Sequence, residues 1–203
     1  MQLYFFSCSP GREYAAGLNL RQEEARMTNP SDELVTIVDE DNNEICRVAR
    51  RVMRNGNLTH RASYVIVYNS RGELFVMKRT SGKDIYPGCY EIAAGGVVLA
   101  GETYEESARR ELFEELGIVS RCIETLFDFF FSEEGNSVWG RVFKCVHDGP
   151  MIFQEEEVAG GEFLRPEAAM ALSRKKNFTP DSVMLLRRLL GQNGITDRIR
   201  PGG

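Results

Sequence analysis

The sequence predicts an α/β domain, a twisted mixed sheet with helices packed on it, and three observations predict that class. Short runs rich in β-branched and aromatic residues recur between turn-forming clusters, as strands do. A helix with readable ends sits among them at residues 103–117. Two further helical patterns follow near the end of the chain. Strands and helices mixed in this way, without internal repeat or low-complexity segment, imply layers around one core.

The elements follow in order. Residues 1–33 show no clear periodicity and read as an extension, within which Met27 offers an alternative start. Residues 34–38 read as a strand, Asp41-Asn42-Asn43 as a turn and residues 45–48 as the returning strand. A polar joint, Arg54-Asn55-Gly56-Asn57, leads to a strand at 62–68. The turn Asn69-Ser70-Arg71-Gly72 and a strand at 74–77 complete a second expected hairpin. A short strand at 90–94 runs into Gly95-Gly96. Residues 123–131 and 138–146 read as two strands around a Glu133-Glu134-Gly135-Asn136 turn, with a short one at 161–164. Helices are expected at 166–172 and 180–190, the latter with Thr179 as N-cap, Pro180 at its first position and Gly191 as its stop. The expected domain spans residues 34–191, with a tail at 192–203.

Composition narrows the function. A chain of 203 residues is long enough for one domain with a proper core. Hydrophobic content of 42% and charged content of 27% are ordinary for a globular protein. A net charge of −5 argues against a broad nucleic-acid surface. It does not argue against a small phosphorylated substrate, because a divalent cation bridges carboxylates to phosphate oxygens. Five scattered cysteines without a CxxC pair form neither a disulfide framework nor a zinc site, and suit a reducing compartment. The opening MQLYFF is too short for a signal peptide, and no segment approaches the roughly 18 apolar residues of a membrane span. The expected location is cytoplasmic.

The chemistry is concentrated in GGVVLAGETYEESARRELFEELGI, from Gly95 to Ile118. Thr103 and Glu106 form a capping-box pattern, and Gly117 stands where a left-handed cap is wanted. Tyr104, Ala108, Leu112 and Leu116 recur every fourth residue and make the stripe that faces the sheet. Glu111 and Glu115 lie roughly 40° apart on the edge of that stripe, and Glu114 is one step further round. Carboxylates clustered beside a core-facing surface repel one another and are costly to desolvate. A divalent cation removes both penalties, and Mg²⁺ or Mn²⁺ prefers such oxygens. Gly95 and Gly96 are expected in a loop that lets the backbone approach a ligand, with the helix start offering unpaired N–H groups. The bland alternative is a solvated helix with Glu106–Arg110 and Arg110–Glu114 as i,i+4 pairs, worth roughly a few tenths of a kcal/mol each.

Spacing decides against that alternative. Gly96, Glu102, Arg110, Glu111, Glu114, Glu115 and Gly117, with Leu112 and Ile118 aliphatic, fit the pattern G-x5-E-x7-R-E-U-x-E-E-x-G-U. The chain thereby resembles the Nudix hydrolases. His60-Arg61-Ala62, Tyr86-Pro87-Gly88, Ala94–Val98 and Phe178-Thr179-Pro180-Asp181-Ser182 resemble their isopentenyl-diphosphate-isomerase-like bacterial branch. The resemblance implies an α/β/α sandwich, a catalytic set of Arg110, Glu111 and Glu114, and Mg²⁺ (or Mn²⁺) on Glu111, Glu114 and Glu115. Arg110 would hold a glutamate in orientation, and Gly95, Gly96 and Arg79 would meet the substrate. The implied reaction is attack of a metal-activated water on one phosphorus of a diphosphate, such as a nucleoside diphosphate linked to another moiety. Glu155, Glu156 and Glu157 are candidates for an acidic base outside the motif, or equally for a solvated loop.

Two rivals remain in view. True isomerases carry a cysteine where this chain has Gly95 and a histidine where it has Val97, so hydrolysis is preferred. Cys89 and Cys145 are poor substitutes by position; His60 matches one isomerase ligand but reads as structural, and His147 sits beside an Asp-Gly-Pro turn without an evident partner. A catalytically silent ligand-binding module would have lost motif glutamates that this chain keeps. Lys78, Arg79 and Lys83 could offset phosphate charge, while Tyr86, Phe130 or Trp139 could stack on a base. The phenylalanine-rich run at 126–131 reads as a buried strand or a dimer contact, and the resemblance allows a homodimer.

Overall fold

The computed structural model describes residues 29–191 apart from Arg121 and Glu134. The extension up to residue 28, including Met27, and the tail from residue 192 lie outside the described residues. Nine strands are hydrogen-bonded into one sheet: β1 (Leu34–Val38), β2 (Glu44–Ala49), β3 (His60–Tyr68), β4 (Leu74–Arg79), β5 (Tyr90–Glu91), β6 (Ala94–Val97), β7 (Glu124–Glu133), β8 (Asn136–Val146) and β9 (Val158–Leu164). Four helices accompany them: α1 (Arg50–Asn55), α2 (Tyr104–Leu116), α3 (Pro166–Ser173) and α4 (Pro180–Leu189).

Strand β3 is the hub. It runs parallel to β8 from His60↔Val138 to Tyr68↔Val146, and its other edge meets β6, β1 and β4, all antiparallel. Its side chains alternate between two cores, as the pleat requires. Val65 and Val67 pack with Ala108, Leu112 and Leu116 of α2 on one face, while Ala62 and Ile66 pack with Ala169 of α3 and Leu185 and Leu186 of α4 on the other. The result is the expected α/β/α sandwich around a mixed sheet. Among the described residues, no helix is long and apolar enough to cross a membrane.

Several expected elements form as read, including β1 with β2, the turn at Asn42 in the left-handed region, and Thr179 capping α4. Three differ. The second hairpin is joined only at Tyr68↔Leu74, because the rest of that β3 edge is taken by β6, and β4 turns away to pair with β9 and β5. The single strand expected at 90–94 is two strands on different partners, β5 on β4 and β6 on β3, with Ile92 and Ala93 buried at the crossing. The polar joint at Arg54 belongs to helix α1, which has no side-chain N-cap and buries Met53.

Gly95 lies in β6 opposite Tyr64, and a Cβ there would collide with the Ser63 carbonyl and reach 3.1 Å from the Tyr64 Cα. The obstacle is backbone, which cannot swing aside. Gly95→Ala is therefore expected to destabilise the fold by about 1–3 kcal/mol, read as a lower urea midpoint; an unshifted midpoint would mean that β6 packs less closely on β3.

Candidate active site

Helix α2 is set by its ends and by its stripe. The Thr103 hydroxyl accepts from the Glu106 N–H, the Glu106 carboxylate accepts from the Thr103 N–H, and Gly117 takes a left-handed φ of 66°. Ala108, Leu112 and Leu116 are fully buried against the sheet. That docking carries the two carboxylates at the stripe edge inward, leaving Glu111 8% and Glu115 2% exposed. The sheet makes room for them through its glycines. A Cβ on Gly96 would stand 2.7 Å from the Glu111 carboxyl carbon, so only glycine leaves that carboxylate its place. The Gly95 N–H donates to Glu115 Oε2 at 3.2 Å.

Arg110 organises the acids. It donates twice to Glu102, Nε to Oε1 at 2.8 Å and Nη2 to Oε2 at 3.0 Å. Its Nη1 reaches Glu111 Oε1 at 2.7 Å and Glu114 Oε2 at 3.1 Å, and its Nη2 meets the Val97 carbonyl at 3.2 Å. Glu102 is fixed in turn by the Leu99 N–H at 3.0 Å. Ionised, forked contacts of this kind are the strong ones.

Distant segments complete the cluster. The Lys83 ammonium pairs with Glu157 and lies 3.9 Å from Glu115 Oε1. Arg79 pairs with Glu91 at 2.9 Å and also donates to the Ile85 carbonyl at 2.8 Å. Burial pushes the Glu115 carboxyl well above the usual range; Glu91, Glu111 and Glu157 push the same way and Lys83 opposes them. Burial, followed by the charge of Glu111, raises Glu114 to about 7 against the pull of Arg110. Glu91 is likewise raised by burial to about 7, with Arg79 opposing. Burial also pushes Glu157 upward, but the charge and hydrogen bond of Lys83 outweigh it and leave this carboxyl below the usual range.

Six carboxylates (Glu91, Glu102, Glu111, Glu114, Glu115 and Glu157) thus share three cations of the chain, Arg79, Lys83 and Arg110. The excess of hard oxygen donors fits a small divalent cation. Among the described residues no three side chains already converge on one point as ligands; Arg110 and Lys83 hold the carboxylates instead.

Two hollows open on this cluster. An acidic cleft of about 720 Å³ is lined by Arg110, Glu111, Glu114 and Glu155–Glu157, and a smaller, more basic cavity by Arg50, Arg54, Arg79 and Lys83 together with Asp84, Glu91 and Asp181. They meet at Arg50, Lys83, Gly95 and Gly96, which line both.

Gly95, Gly96, Arg110, Glu111, Glu114 and Glu115, read together in the sequence, are together in space. Arg79 lines the basic cavity with Gly95 and Gly96, held there by Glu91. Of the three acids at 155–157, Glu155 and Glu156 are exposed, and Glu157 turns into the cluster. Two expectations are corrected. Gly95 and Gly96 are strand residues, not a loop, because β6 pairs them with Tyr64 and Ser63. The start of α2 lines neither hollow, and the capping box engages the N–H groups of Thr103 and Glu106. Glu91 and the bridging role of Lys83 were missed. A lone acid in the otherwise apolar run at 90–94 was the available signal for Glu91. Phe130 packs on Trp139, with ring centroids 5.5 Å apart, while Tyr86 lines the basic cavity. His60 is buried with Nδ1 3.0 Å from the Leu58 carbonyl, and burial lowers it to about 4, a neutral structural residue.

Comparison with known proteins agrees with this geometry. The chain is 42% identical over 158 residues to an uncharacterized Nudix hydrolase of Pseudomonas aeruginosa, covering 78% of this chain and 94% of that one. It is 41% identical over 169 residues to the uncharacterized Nudix hydrolase YfcD of Escherichia coli (strain K12), covering 83% and 93%. The crystal structure of DR0079 from Deinococcus radiodurans superposes with a TM-score of 0.67 at 29% identity, covering 77% of this chain and 98% of that one. With residues 58–187 matching the NUDIX domain as well, the chain belongs to the Nudix hydrolase family.

Proposed function

We propose that this Nudix pyrophosphohydrolase cleaves a diphosphate linkage in a small phosphorylated compound, with Mg²⁺ (or Mn²⁺) held by Glu111, Glu114 and Glu115. The observation that carries the reading is the crowd of six carboxylates held by only three cations, with Glu114 and Glu115 raised by burial and then by neighbouring acids, beside a basic cavity. Once bound, the cation neutralises charge on phosphate oxygens and lowers the pKa of water. The chain supplies the rest. Arg110 is a positioning residue that fixes Glu111 and Glu114, while Gly96 leaves Glu111 its space. Glu157, kept ionised by Lys83, is the carboxylate suited to take a proton from the attacking water. Lys83, which lines both hollows, and Arg79, which lines the smaller one, would offset phosphate charge.

Isomerisation of isopentenyl diphosphate fits less well. The position where the isomerases carry a cysteine is Gly95, and any side chain there would strike the Ser63 backbone. Cys145 is buried away from both hollows, and its thiol is raised by that burial.

Three outcomes are expected. Glu115→Gln should keep the fold and lose metal-dependent turnover by about 100-fold or more; undiminished turnover of a diphosphate panel would remove Glu115 from the site. Glu157→Gln should lower kcat by about 10²–10⁴, whereas an unchanged kcat would return Glu157 to the protein surface. The third concerns pH. A carboxyl raised from 4.5 to about 7, as Glu114 is, stabilises the fold below the lower value and loses that contribution as pH rises through the higher one. The cation replaces the proton, so the gain in Tm with Mg²⁺ over EDTA should grow between about pH 5 and pH 8. A gain that is flat with pH would mean that Mg²⁺ binds elsewhere.

A further inference from the structure

Lys83 stands between two carboxylates that come from separate elements, Glu115 from the last turn of α2 and Glu157 from the segment before β9. Its ammonium pairs with Glu157 and lies 3.9 Å from Glu115 Oε1, with its side chain 16% exposed. The other Glu115 oxygen, Oε2, is taken by the Gly95 N–H, so Oε1 is the one open to a ligand. At 3.9 Å the lysine is attracted to that oxygen without a hydrogen bond to it. The ammonium is a single charge on a flexible four-carbon stem. A small divalent cation, with twice the charge and a demand for several oxygen ligands, takes the same ground more strongly. Arg110 is the contrast: its planar fork makes contacts of 2.7–3.2 Å to Glu102, Glu111, Glu114 and the Val97 carbonyl, and would have to break several together to leave.

The loop that carries Lys83 is fixed at its base and lightly held at its tip. The Thr80 N–H donates to the Glu157 carbonyl at 3.0 Å, its hydroxyl donates to the Glu156 carbonyl at 2.6 Å, and the Gly88 N–H returns to the Thr80 carbonyl at 3.0 Å. Between these anchors, among the described residues, no N–H from 81 to 86 donates to another backbone group. Side chains hold the tip instead: Lys83 itself, Asp84 facing Arg54 at 3.6 Å, Tyr86 on Glu133, and Arg79 on the Ile85 carbonyl. Such a segment opens at little cost. Lys83 also lines both hollows, so its stem has room on either side of its present place. We propose that Lys83 is a place-holding cation: without metal its ammonium stands on Glu115 and Glu157, and binding of the divalent cation at Glu115 expels it and shifts the tip of the 80–88 loop. The contact is autoinhibitory, because the metal must compete with a cation of the chain. Its release opens the Glu157 carboxylate, the acid suited to serve as base, only when the metal is in place.

The inference rests on the metal reading of Glu111, Glu114 and Glu115 but is tested separately from it. The ¹⁵Nζ signals of the lysines would be followed by NMR while Mg²⁺ alone is titrated into the protein. Lys83→Met identifies the Lys83 signal, and Lys83→Gln does so if Lys83→Met does not fold. Without metal, Lys83 should give a sharp signal protected from exchange, which the exposed Lys175 and Lys176 do not. Saturating Mg²⁺ should remove that protection in step with binding. By calorimetry, Mg²⁺ should bind about tenfold or more tightly to the Lys83 variant than to wild type, since no cation of the chain competes for the site. Any neighbouring positive charge weakens metal binding, so the NMR signal decides. Lys83 still protected with Mg²⁺ bound, or unprotected from the start, would overturn the exchange. If Glu115→Gln loses Mg²⁺ while wild-type Lys83 stays protected throughout, the exchange fails and the metal reading stands. If Glu115→Gln binds Mg²⁺ as wild type does, or neither wild type nor the Lys83 variant binds it, both fail.

Discussion

A carboxyl group enters a protein interior either neutralised by a proton or with its charge held, and Arg110 holds Glu102, Glu111 and Glu114 together. Much of the site depends on that arrangement. Without it the docking of the α2 stripe on the sheet would cost more, because the same docking buries Glu111. Such an arrangement is not the most stable use of the space; apolar residues of similar volume often do as well or better. Retaining six acids around three cations is therefore understandable as preparation for a ligand. Glu111 and Glu114 are poised by Arg110, and Glu115 by Lys83 and the Gly95 N–H.

The sheet supplies what the helix cannot. Strand β3 is so fully paired that the chain must change partners between β5 and β6, and that change sets Glu91 on one side of the crossing and Gly95-Gly96 on the other. The acidic cleft and the basic cavity consequently share a wall of glycine backbone. Glu111 and Glu114, which a divalent cation would unite, stand on one side of it, Arg54 and Arg79 on the other, and Arg50 and Lys83 line both. A phosphate chain lying across this wall would meet both kinds of partner.

What could be read from the sequence was what is local. The capping box at Thr103 and Glu106, the left-handed Gly117 and the stripe at Tyr104, Ala108, Leu112 and Leu116 all lie within one helix, and the structure has each as read. The clustering of Glu111, Glu114 and Glu115 followed from helical geometry alone. Partner choice in the sheet did not, because the hydrogen bonding of a strand depends on segments far along the chain. The split at Ile92-Ala93 and the early parting of β3 from β4 were invisible for that reason. Lys83 and Glu157 are 74 residues apart and meet only because β9 lies against β4. Helix α1 was hidden differently: Ala49 gives it no cap, and its arginines look like a polar linker.

The most direct test of the account is where the oxygen of water ends up. A panel of diphosphate compounds, isopentenyl diphosphate included, would be incubated with the protein and Mg²⁺ in ¹⁸O-labelled water and followed by ³¹P NMR. The account predicts cleavage of at least one compound with one labelled oxygen bonded to phosphorus in a product. Product without label on phosphorus, or conversion of isopentenyl diphosphate to its isomer with the diphosphate intact, would contradict it.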